Sequence, residues 1–188
     1  RHIKQGKRQV GSTFKPFVYA TAIMKLGMTP CSTVSNATYN KGSWSVRGNG
    51  ATLTLRDALA HSQNPVAVRL IEMTTVKSVI QTARDLGVTE DIPNEYAVAL
   101  GSSDITIYEM LGAYSTFANY GNYIKPEMIW RIEDGNSRLI KEVKPVLKEV
   151  MNELYAYTMI DLMKGVADFG TGAGELGRRG VPKGIEIA

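Results

Sequence analysis

Gln9-Val10-Gly11-Ser12-Thr13-Phe14-Lys15-Pro16-Phe17 sets a serine and a lysine three residues apart where a helix is about to begin. Pro16 marks that start, because proline is tolerated only in a first helical turn, where its missing N–H would have had no partner. Residues i and i+3 share a helical face, which brings Lys15 within reach of Ser12. Serine alone is a poor nucleophile and needs an adjacent base. The pair supplies both parts without histidine. A helix beginning close to Ser12 leaves the hydroxyl at the positive end of the dipole, which favours negative charge on oxygen and disfavours the ammonium form of Lys15. Ser-x-x-Lys is nevertheless short, and a serine opening a helix is commonly only a cap. The rest of the chain has to decide.

The 188 residues fit one domain or a large piece of one. With 44% hydrophobic and 21% charged residues the composition is globular, and no apolar run is long enough to span a membrane. The basic opening Arg1-His2-Ile3-Lys4-Gln5-Gly6-Lys7-Arg8 runs straight into the Ser12 turn, as in a segment cut from a longer protein. A net charge of +4, from 22 basic and 18 acidic residues, is mild, and aromatic residues do not interleave with basic ones. Nucleic acid is therefore not an expected partner. Cys31 stands alone, which excludes an internal disulfide or cysteine cluster, and is expected as a small buried residue. With only His2 and His61, neither a histidine metal site nor a Ser-His-Asp triad is well supplied, although His61 could serve as a base. No metal and no cofactor is expected.

Phe14 to Leu26 is apolar nearly all round and ends at Gly27, which predicts a buried helix. Residues 29–53 are rich in Thr, Ser, Asn and Gly, with β-prone pieces at Tyr39 and Trp44-Ser45-Val46. Thr54 is placed to cap a helix over 55–61, with Asp57 three residues on. Ser62-Gln63-Asn64-Pro65 breaks it, and helices are predicted over 66–73, 76–86, 105–120 and 152–167. Asp134-Gly135-Asn136 inside the alternating stretch 128–142 predicts a hairpin. Gly170-Thr171-Gly172-Ala173-Gly174 lacks both the lysine and the preceding strand of a phosphate loop, and reads as a flexible connector. Gly184 to Ala188 reads as the start of a strand.

Ser62-Gln63-Asn64 puts a hydroxyl, able to relay a proton, beside a carboxamide, able to bind an amide. Alone this is an ordinary turn composition. Together with Ser12-x-x-Lys15, 50 residues earlier, it is far more specific. The chain resembles the transpeptidase domain of bifunctional (class A) penicillin-binding proteins over nearly its whole length. Arg8 to Tyr19 is similar to the family's nucleophile segment, where proline is common at the place of Val10. Leu53 to Asn64 is similar to its second motif, and Ala99-Leu100-Gly101 through Tyr114 to Gly121 to the helix that follows.

The resemblance implies an α+β, β-lactamase/transpeptidase-like fold, of which this partial domain is mainly the helical part with an incomplete central sheet. It implies a peptidoglycan D,D-transpeptidase at the extracytoplasmic face of the bacterial inner membrane. Such an enzyme takes D-Ala-D-Ala stem peptides as substrate, is acylated by β-lactams, and meets the membrane only through segments outside these residues. Ser12 would attack the penultimate D-alanine carbonyl, neutral Lys15 would take its proton, Ser62 would pass a proton to the leaving amine, and Asn64 would hold Lys15 and the substrate amide. Trp44 and Asn49 are expected on the cleft, with local packing as the alternative for a loop tryptophan, and His61 as structural. No Lys-Thr-Gly follows Ser62, although Ile185-Glu186-Ile187-Ala188 is similar to the family's lead-in to it. These residues alone are therefore expected to cross-link little. A D,D-carboxypeptidase or β-lactamase relative, or a non-catalytic piece, stand as alternatives.

Overall fold

In the computed structural model, which describes residues 2–181 and Ile187, the chain packs around a helix with no solvent-facing side until its last turns. The helices are α1 (His2–Gln5), α2 (Lys15–Leu26), α3 (Leu55–Ala60), α4 (Asn64–Thr74), α5 (Val76–Asp85), α6 (Ile107–Ala118), α7 (Glu153–Asp168) and α8 (Ala173–Arg178). Every residue of α2 from Lys15 to Ile23 is buried, because α4, α5 and α7 surround it. Truncating Phe14 or Phe17, both fully buried, would cost about 3–5 kcal/mol. None of the described helices is long and apolar enough to cross a membrane.

The described strands form separate antiparallel pairs. β1 (Lys7–Gln9) pairs with β6 (Asp104–Thr106), and β2 (Thr33–Ser35) with β5 (Thr52–Thr54). β3 (Tyr39–Lys41) pairs with β4 (Trp44–Val46), β7 (Asn122–Ile124) with β10 (Leu147–Glu149), and β8 (Arg131–Glu133) with β9 (Leu139–Glu142). A mainly helical body with partial sheet is what the resemblance implied. The strand expected at 184–188 lies outside the described residues apart from Ile187.

Thr54 caps α3 as the sequence predicts, and two other helices open in the same way. Thr54 and Thr106 accept from the backbone N–H of Asp57 and Glu109, and Asn152 opens α7 by accepting from Tyr155 N–H. Three expectations are corrected and one, the hairpin, is met. α4 begins at Asn64 rather than after Pro65, since the proline fits inside the first turn. The β8–β9 hairpin forms at Asp134 as predicted, its carboxylate accepting from Asn136 and Arg138 N–H, and both strands are exposed on both faces. Its alternation therefore marks no buried face.

Cys31 is exposed. Its turn closes on itself through Ser32 N–H to Thr29 O at 2.9 Å, while Pro30 O and Ser32 O accept from the first amides of α3. The backbone of the turn is used inward and the thiol is left outside. The glycine-rich stretch is a bonded turn and not a loose connector. Gly170, Thr171 and Gly172 donate to Gly165 O, Ala60 O and Val166 O at 2.9, 3.0 and 2.9 Å. The Thr171 bond satisfies a carbonyl at the end of α3 that has no intrahelical donor.

Candidate active site

Ser12 sits in a single 3-10 turn, Gly11–Phe14, directly ahead of α2. The turn is pinned from behind. Gly11 N–H donates to Gly101 O at 3.1 Å, Val10 N–H to Ser103 O at 3.2 Å, and the Tyr114 hydroxyl to Thr13 O at 2.7 Å. Gly101 must be glycine for space as well as for its φ of 76°, since a Cβ there would stand 2.0 Å from Gly11 O. The Ser12 side chain is exposed, and no hydrogen bond to its hydroxyl occurs among the described residues.

The second turn is the end of α3. Ser62 N–H donates to Leu59 O at 2.9 Å and Gln63 N–H to Ala58 O at 2.8 Å, the paired bonds of a Schellman helix end. The residue between them usually is glycine, because it must be left-handed. Here it is Ser62, at φ 52°.

Lys15 joins the two turns. Its ammonium donates to Ser62 O at 2.5 Å, Ser62 Oγ at 2.8 Å and Asn64 Oδ1 at 2.6 Å, which uses all three of its N–H groups. The side chain is 1% exposed, and among the described residues no carboxylate pairs with it. Burial without a countercharge penalises the charged form and lowers its pKa from 10.5 to about 8. Burial is the cause the structure identifies. Ser12, Lys15 and Ser62 line one cavity of about 280 Å³, walled by Pro16, Leu59, Tyr114, Met163 and Val166, with Thr171 adding a hydroxyl.

Of the residues singled out in the sequence, the structure gathers Ser12, Lys15, Ser62 and Asn64. The Lys15 bonds run to the Ser62 turn, with none to Ser12. Trp44 packs edge-to-face on Tyr39, ring centres 6.2 Å apart, and does not line the cavity. Asn49 also lies off the cavity, where its Oδ1 accepts from Asn36 Nδ2 at 2.9 Å and Ala51 N–H at 3.0 Å. His61 is exposed at the end of α3 beside Phe169, 6.1 Å between ring centres. Sequence reasoning gave no role to Tyr114, Gly101 or Thr171. The glycines around Thr171 were the available signal of close approach, while Tyr114 looks like any aromatic on a buried helix face.

A Ser-x-x-Lys turn facing a Ser-x-Asn turn, on this helical body, defines the class shared by serine β-lactamases and penicillin-binding proteins. Within that class the chain belongs to the penicillin-binding protein transpeptidase domain family, whose model matches residues 3–187. It is 33% identical to penicillin-binding protein 1A of Aquifex aeolicus over 87% of the chain, and 33% identical to that of Neisseria meningitidis serogroup B over 93%. In both cases it spans 24% of the relative's length.

Among solved structures, penicillin-binding protein 1A from Haemophilus influenzae superposes with a TM-score of 0.84 at 22% identity, over 94% of this chain and 33% of that one. The imipenem acyl-enzyme of penicillin-binding protein A from M. tuberculosis also gives 0.84, at 21% identity, over all of this chain and 48% of that one. The fold is thus the β-lactamase/transpeptidase fold.

Proposed function

We propose that this chain carries the acylation centre of a peptidoglycan D,D-transpeptidase in the bacterial cell envelope, acting on D-Ala-D-Ala stem peptides and acylated by β-lactams. The observation that carries the reading is the Lys15 site: a buried amine drawn toward neutrality, held by Ser62 and Asn64 on the cavity that Ser12 opens into. Ser12 Oγ bonds to the penultimate D-alanine carbonyl carbon as its proton passes to neutral Lys15. The C–N bond to the last D-alanine then breaks as Ser62 relays a proton to that nitrogen. The acyl-enzyme is attacked by an amine from a neighbouring stem, which forms the cross-link and frees Ser12. The Ser12 backbone N–H, in a first turn where amides lack intrahelical acceptors, contributes to the oxyanion hole. Asn64 keeps the Lys15 amine in place and meets the substrate amide. Trp44 and Asn49 stand outside this set, since neither lines the cavity.

The test is labelling with fluorescent penicillin in a protein carrying the whole transpeptidase domain. Label is expected in the wild type and in His61→Ala and is expected to be lost in Ser12→Ala. A wild type that never acylates would overturn the reading, and rapid release of the label would make the protein a hydrolase of the β-lactamase kind.

A further inference from the structure

The three acceptors around the Lys15 ammonium all belong to one short turn, Ser62 to Asn64, whose first residue is held in an unfavourable left-handed conformation. Whatever fixes that turn therefore fixes the base. The middle residue, Gln63, points its side chain away from Lys15 and toward the 36–51 loop. Its Oε1 accepts from Asn36 Nδ2 at 2.8 Å, and its Nε2 donates to His61 O at 3.2 Å. Asn36 is fully buried, and its second amide hydrogen goes to Asn49 Oδ1 at 2.9 Å. The backbone of Asn36 is locked as well, with its N–H on Ala51 O at 2.7 Å and its C=O accepting from Gly50 at 3.2 Å.

Asn36 Oδ1, by contrast, is buried with no partner among the described residues. An apolar residue there would avoid burying that oxygen, so the side chain is not one that loop closure alone would select. Both of its donors are spent, one on the loop and one on the catalytic turn.

We propose that Asn36 and Gln63 are positioning residues for acylation, a brace anchored at Asn49 through which the 36–51 loop holds the Ser62 turn, and with it Lys15, in register with Ser12. This rests on the acylation reading above. The brace touches neither substrate nor Ser12, so loosening it misplaces the base and slows the chemical step without weakening the first encounter with β-lactam.

The experiment is stopped-flow acylation by a fluorescent penicillin in a protein carrying the whole transpeptidase domain, resolving the acylation rate constant from the preceding dissociation constant. Gln63→Leu, Asn36→Leu and the double variant are compared, with thermal melts alongside. Gln63 is only half-buried and lies outside the loop, so its variant remains informative if Asn36→Leu folds poorly. Gln63→Leu is expected to lower the rate constant roughly 10- to 100-fold, as a misplaced catalytic group does, and to leave the dissociation constant unchanged. Asn36→Leu is expected to add little in the Gln63→Leu background, the signature of a shared contact. A wild-type rate in Gln63→Leu, or an effect of Asn36→Leu as large in the Gln63→Leu background as in the wild type, would overturn the brace. If the wild type itself is not acylated, the proposed function fails instead.

Discussion

The two turns that meet at Lys15 solve one backbone problem in opposite ways. Gly11 and Ser62 both lie in the left-handed region, at φ 54° and 52°. The first turn uses glycine, although a Cβ there would meet nothing within 4 Å, so its φ and not lack of room explains the choice. The second turn ends a helix, where glycine is the usual residue, yet it carries a serine at a cost of about 1–2 kcal/mol. The first turn needs only to present its neighbour Ser12. The second must supply its own hydroxyl to Lys15, and that requirement outweighs the strain. Strain kept at such a position points to function rather than to packing.

The comparison gives Lys15 the central place, so removing it should have the largest effect. Lys15→Met should slow penicillin acylation by roughly 10³-fold, within the range for loss of a general base. In the wild type the rate should rise with pH and level off above about 8, because in the proposed mechanism only the neutral amine accepts the Ser12 proton. Stability should follow the same group. Below about pH 8 the folded and unfolded chains both hold this proton, and burial of the charge is a constant penalty. Between about 8 and 10.5 the folded chain has released it while the unfolded chain has not, so stability should climb with pH in that window. Melts of Lys15→Met should lack the climb. A rate profile flat through pH 8 would remove Lys15 from the role of base.

Gly101→Ala should come next. Its Cβ would overlap Gly11 O, so the Ser12 turn must shift while the Ser62 turn stays bonded to Lys15. A displacement of that order costs roughly 10²-fold in rate. A normal rate would mean that the first turn is not held from behind.

Ser62 tests the contrast itself. Ser62→Gly and Ser62→Ala both remove the hydroxyl and should slow acylation by roughly 10²-fold, the weak end of the range for a positioned proton-transfer group. Only the glycine variant relieves the left-handed strain, so it should be the more stable by about 1 kcal/mol in thermal or denaturant unfolding. Equal stability would show that residue 62 is not strained and that the contrast with Gly11 is empty.

Much of this was legible in the sequence. Ser-x-x-Lys, Ser-x-Asn, Thr54 and Thr106 act through local backbone rules, and a cap or a broken helix is written in adjacent residues. What holds each turn from outside was not legible. The Tyr114–Thr13 bond spans 101 positions and the Asn36–Gln63 bond 27, and neither leaves a periodicity to read. Asn49 was expected on the cleft, but its partner is Asn36 rather than the cavity. The glycine-rich stretch misled because glycine marks close approach as readily as flexibility. Cys31 misled because burial of a turn residue depends on which way the turn closes.

The mildest break should come from Tyr114→Phe. The ring stands edge-on to Phe17 and Phe117, with centres 6.1 Å away in each case, and phenylalanine would keep that packing. Only the hydroxyl donated to Thr13 O is lost, worth about 1 kcal/mol of stability and a few-fold in acylation rate. Burial pushes the Tyr114 phenol well above its ordinary pKa, so it remains a donor wherever Lys15 titrates. Tyr114→Phe should therefore lower the whole pH–rate curve and leave its inflection near 8. If the inflection moves, the first turn also tunes the base, and the division between a turn that presents the nucleophile and a turn that holds the lysine no longer stands.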